Sequence, residues 1–255
     1  MPKAPAPPKP KFNARLWLRI ALWGAIFAGL AYGAKEVHSF LLRDPRFEFR
    51  NLEIRGAVYT DRARIQAVFA PDANRSVFQI PLAERRRHLL AIDWVHTASI
   101  ERVWPNRLVV AITERRPVAF AKLQIAGSNR HWLALIDGEG ILLSIPSRVR
   151  FRLPVLSGVE EEQSDEERRV RVEAMQHLLT DLGSQAKDIS EINAASIHDL
   201  AVIADIDGKG LELWLGDRHY RSRYTNFLSH YQEIKAHSET ARIFDLRLDD
   251  RISTR

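Results

Sequence analysis

The side chains able to do chemistry in this chain of 255 residues are scattered rather than gathered. Its nine histidines occur as singletons, and none stands in the H-x-x-x-H or H-E-x-x-H spacing that sets two imidazoles on one helix face for a metal. Surface or packing roles fit each of them. There is no cysteine, which excludes disulfides, thiolate metal sites and a cysteine nucleophile. The motifs G-x-S-x-G, Walker A and G-x-G-x-x-G are absent, so the commonest hydrolase and nucleotide-binding signatures are missing. Asp205-Ile206-Asp207-Gly208-Lys209-Gly210 begins like a calcium loop. It lacks the remaining ligands and the glutamate at the twelfth position, and between two strand-like runs it reads as a hairpin turn. A catalytic acid at Glu114, or a membrane-anchored hydrolase in general, lacks a nucleophile–base constellation to work with. No catalytic residue, cofactor or metal is expected, and binding is the chemistry left.

Charge narrows what is bound. Lys3, Lys9, Lys11, Arg15 and Arg19 precede residue 20, where there is no acid; subtracting these five from the formal +6 leaves +1 for the remainder. A nucleic-acid-binding face is therefore disfavoured, because the bulk of the chain lacks the excess cations that neutralise phosphates. The Arg85-Arg86-Arg87 run is open to anionic lipid or an acidic partner, but Glu84 to His88 reads more simply as the solvated side of a helix.

The elements that must position a binding surface begin with a membrane anchor. Met1 to Pro10 is a Pro/Ala/Lys segment without the large apolar residues of a core. Residues 16 to 34 follow with Arg19 as their only charge, and about 20 mostly apolar residues in helix span a hydrocarbon core of ~30 Å. Arg19 can snorkel to the headgroups, and Trp17, Trp23 and Tyr32 fall near the expected interfaces. The cationic flank holds the amino terminus in the cytoplasm, so the segment after about Val37 is expected in the periplasm or its equivalent. A cleaved signal peptide is the alternative, with Gly29 and Ala31 as a small-x-small pair, but the apolar run continues past that site. Arg43 to Arg46 is expected to be a short charged link that keeps the next domain near the membrane.

Phe47 to Gly56 alternates apolar and charged residues with one slip at Asn51, a half-buried strand with a possible bulge. Thr60 has the chemistry of an N-cap for a short helix with Ile65, Val68 and Phe69 inward, and Pro71 stops it. Pro81 at the first helical position opens a second helix, with Leu82, Leu89 and Leu90 inward. Two β-branched runs then flank Trp104-Pro105-Asn106-Arg107, a β-hairpin. Pro117 has no N–H to donate and biases Arg116 toward an extended conformation, so the chain should leave the hairpin there. The order is β-α-α-β-β.

The second half reads as β-rich with two helices. Phe120 to Gln124 and Trp132 to Ile136 are short strands, and Asp137-Gly138-Glu139-Gly140 turns toward Ile141-Leu142-Leu143. Ser164 with Glu167 forms a capping box for a helix whose inner face is Val172, Met175, Leu178, Leu179 and Leu182, closed by Gly183. Strands at 190–194, 200–204 and 211–215 precede an amphipathic helix carrying Tyr224, Phe227, Leu228, Tyr231 and Ile234. Ile243 to Leu248 is an alternating final strand. Following a helix, it is expected at a sheet edge with unpaired backbone groups, a liability unless charged, covered or used. Asp249, Asp250 and Arg251 are then either gatekeepers of that edge or part of a surface that a partner strand extends.

F-x-x-x-x-I-R-G from Phe49, W-P-N-R-L at 104–108, E-R-R-P-V-A at 114–119, I-D-G-E-G at 136–140, L-P-V-L-S-G at 153–158 and D-L-R at 245–247 together resemble the FtsQ/DivIB family of bacterial cell-division proteins. The family's usual P-W-V before the second strand is departed from at Asp93-Trp94-Val95, which bears on that strand's approach angle. The resemblance implies an α+β fold: a cytoplasmic tail at 1–15, a transmembrane helix and flank at 16–42, an FtsQ-type POTRA domain at 47–117 and a β domain at 118–255. It implies a non-enzymatic bitopic scaffold of the inner membrane at the division septum. Its partners would be FtsB-like and FtsL-like bitopic division proteins and other divisome components, and it would recruit or regulate septal peptidoglycan synthesis. The family's partner-binding residues carry over by position to Arg247, Leu248, Asp250 and Ile252, with His198 as a further transfer. Glu114, Arg115, Arg116 and Pro117 would form the interdomain hinge. The alternative is a POTRA-bearing component of outer-membrane assembly or secretion, but a tandem repeat of the β-α-α-β-β unit and a terminal barrel are both missing from the pattern.

Overall fold

The computed structural model describes residues 14–124, 131–147, 149–237, 240–248 and 251–254. Helix α1, Ala14–Arg43, contains a 27-residue stretch from Trp17 to Arg43 that is long and apolar enough to cross a membrane. At about 1.5 Å per residue it exceeds the ~30 Å of a hydrocarbon core. Its large apolar side chains, Trp23, Phe27 and Leu30 among them, are exposed rather than packed on the protein. The expected charged link is almost absent. The Asp44 N–H donates to the Phe40 carbonyl at 3.0 Å, and the Asp44 carboxylate caps a single 3-10 turn, Pro45–Phe47.

The next unit is a three-stranded sheet with two helices, β1 Asn51–Arg55, α2 Arg62–Phe69, α3 Leu82–Leu90, β2 Val95–Val103 and β3 Arg107–Glu114. The spatial order is β1-β3-β2, with β1 parallel and β2 antiparallel to the central β3. Alternate residues of β3, Leu108, Val110 and Ile112, face Ile65 and Phe69 of α2 and Leu89 of α3, as the two-residue period of a strand dictates. Gly56 closes β1 at φ 82°, and a Cβ there would lie 2.1 Å from the Ile112 carbonyl oxygen, so only glycine fits.

Three local expectations need correction. The first strand begins at Asn51 rather than Phe47, because Phe47 is buried against the rings of Phe40, Phe78 and Trp104. The cap of α2 is Asp61, whose carboxylate accepts the Ala63 N–H, and Thr60 is instead buried. The arginine run does not simply face water. Arg85 is buried and gives Asp72 two hydrogen bonds, 2.6 and 3.1 Å, while Arg86 donates to the Ala98 carbonyl of β2 at 2.8 Å. A long guanidinium stem lets an arginine at a nominally polar helix position reach back under the helix.

The remaining strands are β4 Pro117–Gln124, β5 His131–Asp137, β6 Leu142–Leu143, β7 Val155–Glu160, β8 Ile189–Asn193, β9 Leu200–Ile206, β10 Lys209–Gly216, β11 Ile243–Asp245 and β12 Ser253–Thr254. They form one sheet in the order β12-β11-β10-β9-β8-β7-β4-β5-β6. Helices α4, Asp165–Leu182, and α5, Tyr220–His237, join it in a single apolar cluster. The capping box of Ser164 and Glu167 is formed, and Asp207-Gly208, both at positive φ, turn β9 into β10 as a D-G hairpin turn does.

The last strand departs most from expectation. Regular pairing of β11 stops at Asp245, and its outer side is not open. The chain returns so that Phe244 and Asp245 pair with Thr254 and Ser253 of β12. The sheet edge is therefore the two-residue β12.

Candidate functional site

The surface around the final strands is built from three directions. Strand β10 presents Leu213 and Leu215 to the core and Trp214 to the other face. Next to it, the Leu246 N–H donates to the Trp214 carbonyl at 2.9 Å, which carries the pairing one residue past β11 and buries Leu246. Helix α5 contributes Arg223, buried, with Nη1 donating to the Leu215 carbonyl at 2.7 Å.

Arg247 is held rather than free. Its Nε and Nη2 donate to the two oxygens of Asp245 at 2.9 and 2.5 Å, and its Nη1 donates to Asp199 at 3.0 Å. Its guanidinium carbon stands 4.9 Å from the centre of the Trp214 ring. The hydrogen bond with Asp245, with the two carboxylate charges, raises its pKa further above the ordinary arginine range. Arg247 is thus a strut from the end of β11 across β10 to the loop before β9. That loop carries His198, which is exposed and precedes Asp199 in the chain.

Leu248 is 48% exposed. With Ile252 and Leu246 it lines a shallow cavity of about 300 Å³ whose other wall is His219, Ser222, Arg223 and Asn226 at the start of α5. Asp250 lies outside the described residues. Sequence reasoning passed over Trp214 and Asp199. The first was detectable as the outward position in L-E-L-W-L, while Asp199 had no signal beyond adjacency to His198.

The four expected hinge residues separate into three roles. Glu114, the last residue of β3, accepts the backbone N–H groups of Val58, Tyr59 and Thr60 through Oε1 at 3.0, 2.9 and 2.6 Å, fixing the loop between β1 and α2. Arg115 donates its N–H to the Trp94 carbonyl at 2.9 Å, and its Nη1 to Asp137 at 2.8 Å and Glu139 at 2.6 Å on the other sheet. That hydrogen bond holds the Glu139 carboxyl below its usual range. Arg116 is exposed, and Pro117 opens β4 opposite Asp137. The turn that Arg115 grips is fixed in turn by Gly140, at φ 80°, where a Cβ would meet the Asp165 carbonyl of α4 at 2.3 Å.

Asp93 contributes more than the approach angle of β2. Its carboxylate accepts the Ser144 hydroxyl and N–H at 2.6 and 3.0 Å, and Arg64 donates to it at 2.7 Å. Partial burial pushes its pKa up, but these hydrogen bonds outweigh it and leave the group below the ordinary carboxylate value. Beside it Trp94 donates Nε1–H to the Ser144 carbonyl at 2.9 Å and packs with Leu135 and Leu143 in a small apolar cluster joining the two sheets.

Two family models match this architecture. One, described as POTRA domain, FtsQ-type, covers residues 47–115; the other, described as cell division protein FtsQ/DivIB, C-terminal, covers residues 127–247. Among curated relatives, a cell division protein FtsQ of Koribacter versatilis is 30% identical over 93% of this chain and 67% of its own length. The chain belongs to the FtsQ/DivIB family of cell-division proteins. Similar proteins named cell division protein FtsQ occur in Shewanella oneidensis, 25% identical over 94% of this chain and 86% of that protein, and in a Geobacter species, 22% identical over 89% and 83%. This is a family of division scaffolds rather than a known enzyme family. The first sheet with α2 and α3 is its POTRA unit, and α1 fits a single-pass membrane protein. Among the described residues, no three His, Asp or Glu side chains are grouped so as to hold a metal ion.

Proposed function

We propose that this FtsQ-family chain is a bitopic scaffold of the divisome, with its amino terminus in the cytoplasm and both folded units outside it at the septum. It binds FtsB-like and FtsL-like partners and helps recruit or regulate septal peptidoglycan synthesis. The observation that carries the reading is the end of the larger sheet. A long, well-packed sheet terminates in a two-residue strand, β12, whose outer side pairs with no other strand among the described residues, with the exposed Leu248 beside it. Main-chain groups on such an edge supply affinity to an added strand, and apolar side chains flanking it supply selection. A partner segment that pairs outside β12 would lengthen it and cover Leu248 and Ile252, while Arg247 keeps the last turn of chain in place.

Co-purification of the full chain with an FtsB-like bitopic protein tests this. Leu248→Glu places a charge in the covered patch and should weaken capture tenfold or more, about 1.4 kcal/mol. Deleting residues 252–255 should do the same by removing the accepting edge. Undiminished capture by both variants would contradict the proposal. For topology, a periplasm-dependent reporter fused after Arg255 should be active, and activity only of a cytoplasmic reporter would reverse the orientation.

A further inference from the structure

The W-P-N-R turn between β2 and β3 has no role in the surface just described, yet it carries a large exposed aromatic. Trp104 is 64% exposed. It nevertheless belongs to a continuous ring contact that leads back to the membrane helix: its centroid is 5.9 Å from Phe47 and 5.4 Å from Phe78, both edge-on, and Phe47 is 5.8 Å from Phe40 in the last turns of α1. The connection is short and hydrogen-bonded. The Ser76 hydroxyl donates to the Leu41 carbonyl at 2.7 Å, and the Asp44 cap leaves no slack between the helix and the POTRA unit.

We infer that the tip of this hairpin is a second membrane contact, with Trp104 seated in the lipid headgroup layer beside the emerging helix. The inference rests on reading α1 as membrane-spanning. With Trp17 at one hydrocarbon boundary, a ~30 Å core is crossed in about 20 residues, near Glu36, and the headgroup layer adds roughly 5–7 Å beyond it. Phe40 falls at that level, and Trp104 lies two ring contacts from it. Trp is the side chain most suited to this layer, since its indole is apolar over its face and carries an N–H for the wet side. The neighbouring cations argue against an electrostatic basis. Arg46, Arg50 and Arg107 stand 3.8, 2.9 and 3.4 Å from the carboxylates of Asp44, Glu48 and Glu53, so the contact is made by the aromatic and should form on zwitterionic lipid. Two points of attachment, the helix and the turn, fix the tilt of the POTRA unit and so the direction in which the second sheet is presented.

The absence of cysteine makes the test direct. A nitroxide on Asn106→Cys of the full chain, reconstituted in phosphatidylcholine vesicles, is compared for its accessibility to oxygen, which partitions into lipid, and to an aqueous nickel chelate. Labels on Gly29→Cys within α1 and Ser184→Cys on the second unit supply the lipid and water references. The Asn106 label should fall between the two references, Trp104→Ala should move it to the Ser184 value, and Trp104→Tyr should restore it. An Asn106 label indistinguishable from Ser184 while Gly29 reads as lipid overturns the inference and leaves the spanning helix intact. An aqueous reading at Gly29 removes the spanning helix and the inference with it. Protection from both reagents would mean that protein rather than lipid covers the turn, and would also overturn it.

Discussion

The two sheets of this chain differ in how much of their closure is apolar packing. The smaller, membrane-proximal one has a modest apolar core and buries charge to complete itself: Asp72 and Arg85 form an ion pair beneath α2 and α3, Glu114 gathers three backbone N–H groups, and Arg102 donates to the Val77 and Ile80 carbonyls at 2.7 and 2.8 Å. The larger sheet also buries arginines, Arg168 and Arg223, which donate to the Gly140 and Leu215 carbonyls at 2.8 and 2.7 Å, but it is closed by a much broader apolar cluster in which α4 and α5 supply Met175, Leu178, Tyr224 and Phe227. The difference in apolar core follows from size, since a small domain buries a smaller fraction of its surface. The comparison also separates their edges. The smaller sheet is tied to α1 and to its neighbouring sheet, whereas the larger one ends in a two-residue strand.

If that contrast is right, the largest loss should come from the buried ion pair. Arg85→Ala leaves the buried Asp72 carboxylate with the longer contact to Arg75, at 3.5 Å, in place of two short bonds and should cost about 3 kcal/mol, the lower end for breaking a buried pair, read as a fall in the denaturation midpoint of the POTRA unit. Glu114→Ala leaves the Val58, Tyr59 and Thr60 amides without their acceptor and should cost about 1–3 kcal/mol; a loss confined to a few tenths would remove Glu114 from the argument. Asp93→Ala, at a partly exposed site, should cost about 1 kcal/mol and should alter the acid limb of stability. The folded-state pKa of Asp93 is lowered, so its contribution is complete above the ~3.9 of a free aspartate and is lost as pH falls through the lower folded value. The wild type and Asp93→Ala should therefore converge in thermal midpoint in strong acid and separate near neutrality. The smallest effect has the opposite sign. Tyr224 is buried with its hydroxyl unpartnered, and burial pushes its pKa up to about 12. Tyr224→Phe should raise stability by up to ~1 kcal/mol, since the larger core holds it by packing alone.

Periodicity carried most of this fold because the elements are amphipathic. The capping box at Ser164, the inner face of α4 and the stripe of α5 follow from local spacing, and so does the hairpin around Trp104-Pro105. What was not legible depends on chain segments far apart in sequence. Arg85 reaches Asp72 across a helix connection, Asp93 reaches Ser144 fifty-one residues on, and nothing in Ile243 to Leu248 announces that Ser253 and Thr254 fold back to cover it. The site residues were legible only through family resemblance. Leu248 and Ile252 line one cavity against α5, whereas Arg247 turns to Trp214 and Asp199, neither of which the pattern near the end of the chain contains.

The central claim is that the free edge of the larger sheet, and not an edge of the POTRA sheet, accepts the division partner. Amide hydrogen exchange of the full chain with and without an FtsB-like partner compares those edges in one experiment. New protection should appear at residues 244–254 while β1 and β2 keep their exchange rates. Protection at β1 or β2 with residues 244–254 unchanged would contradict the account.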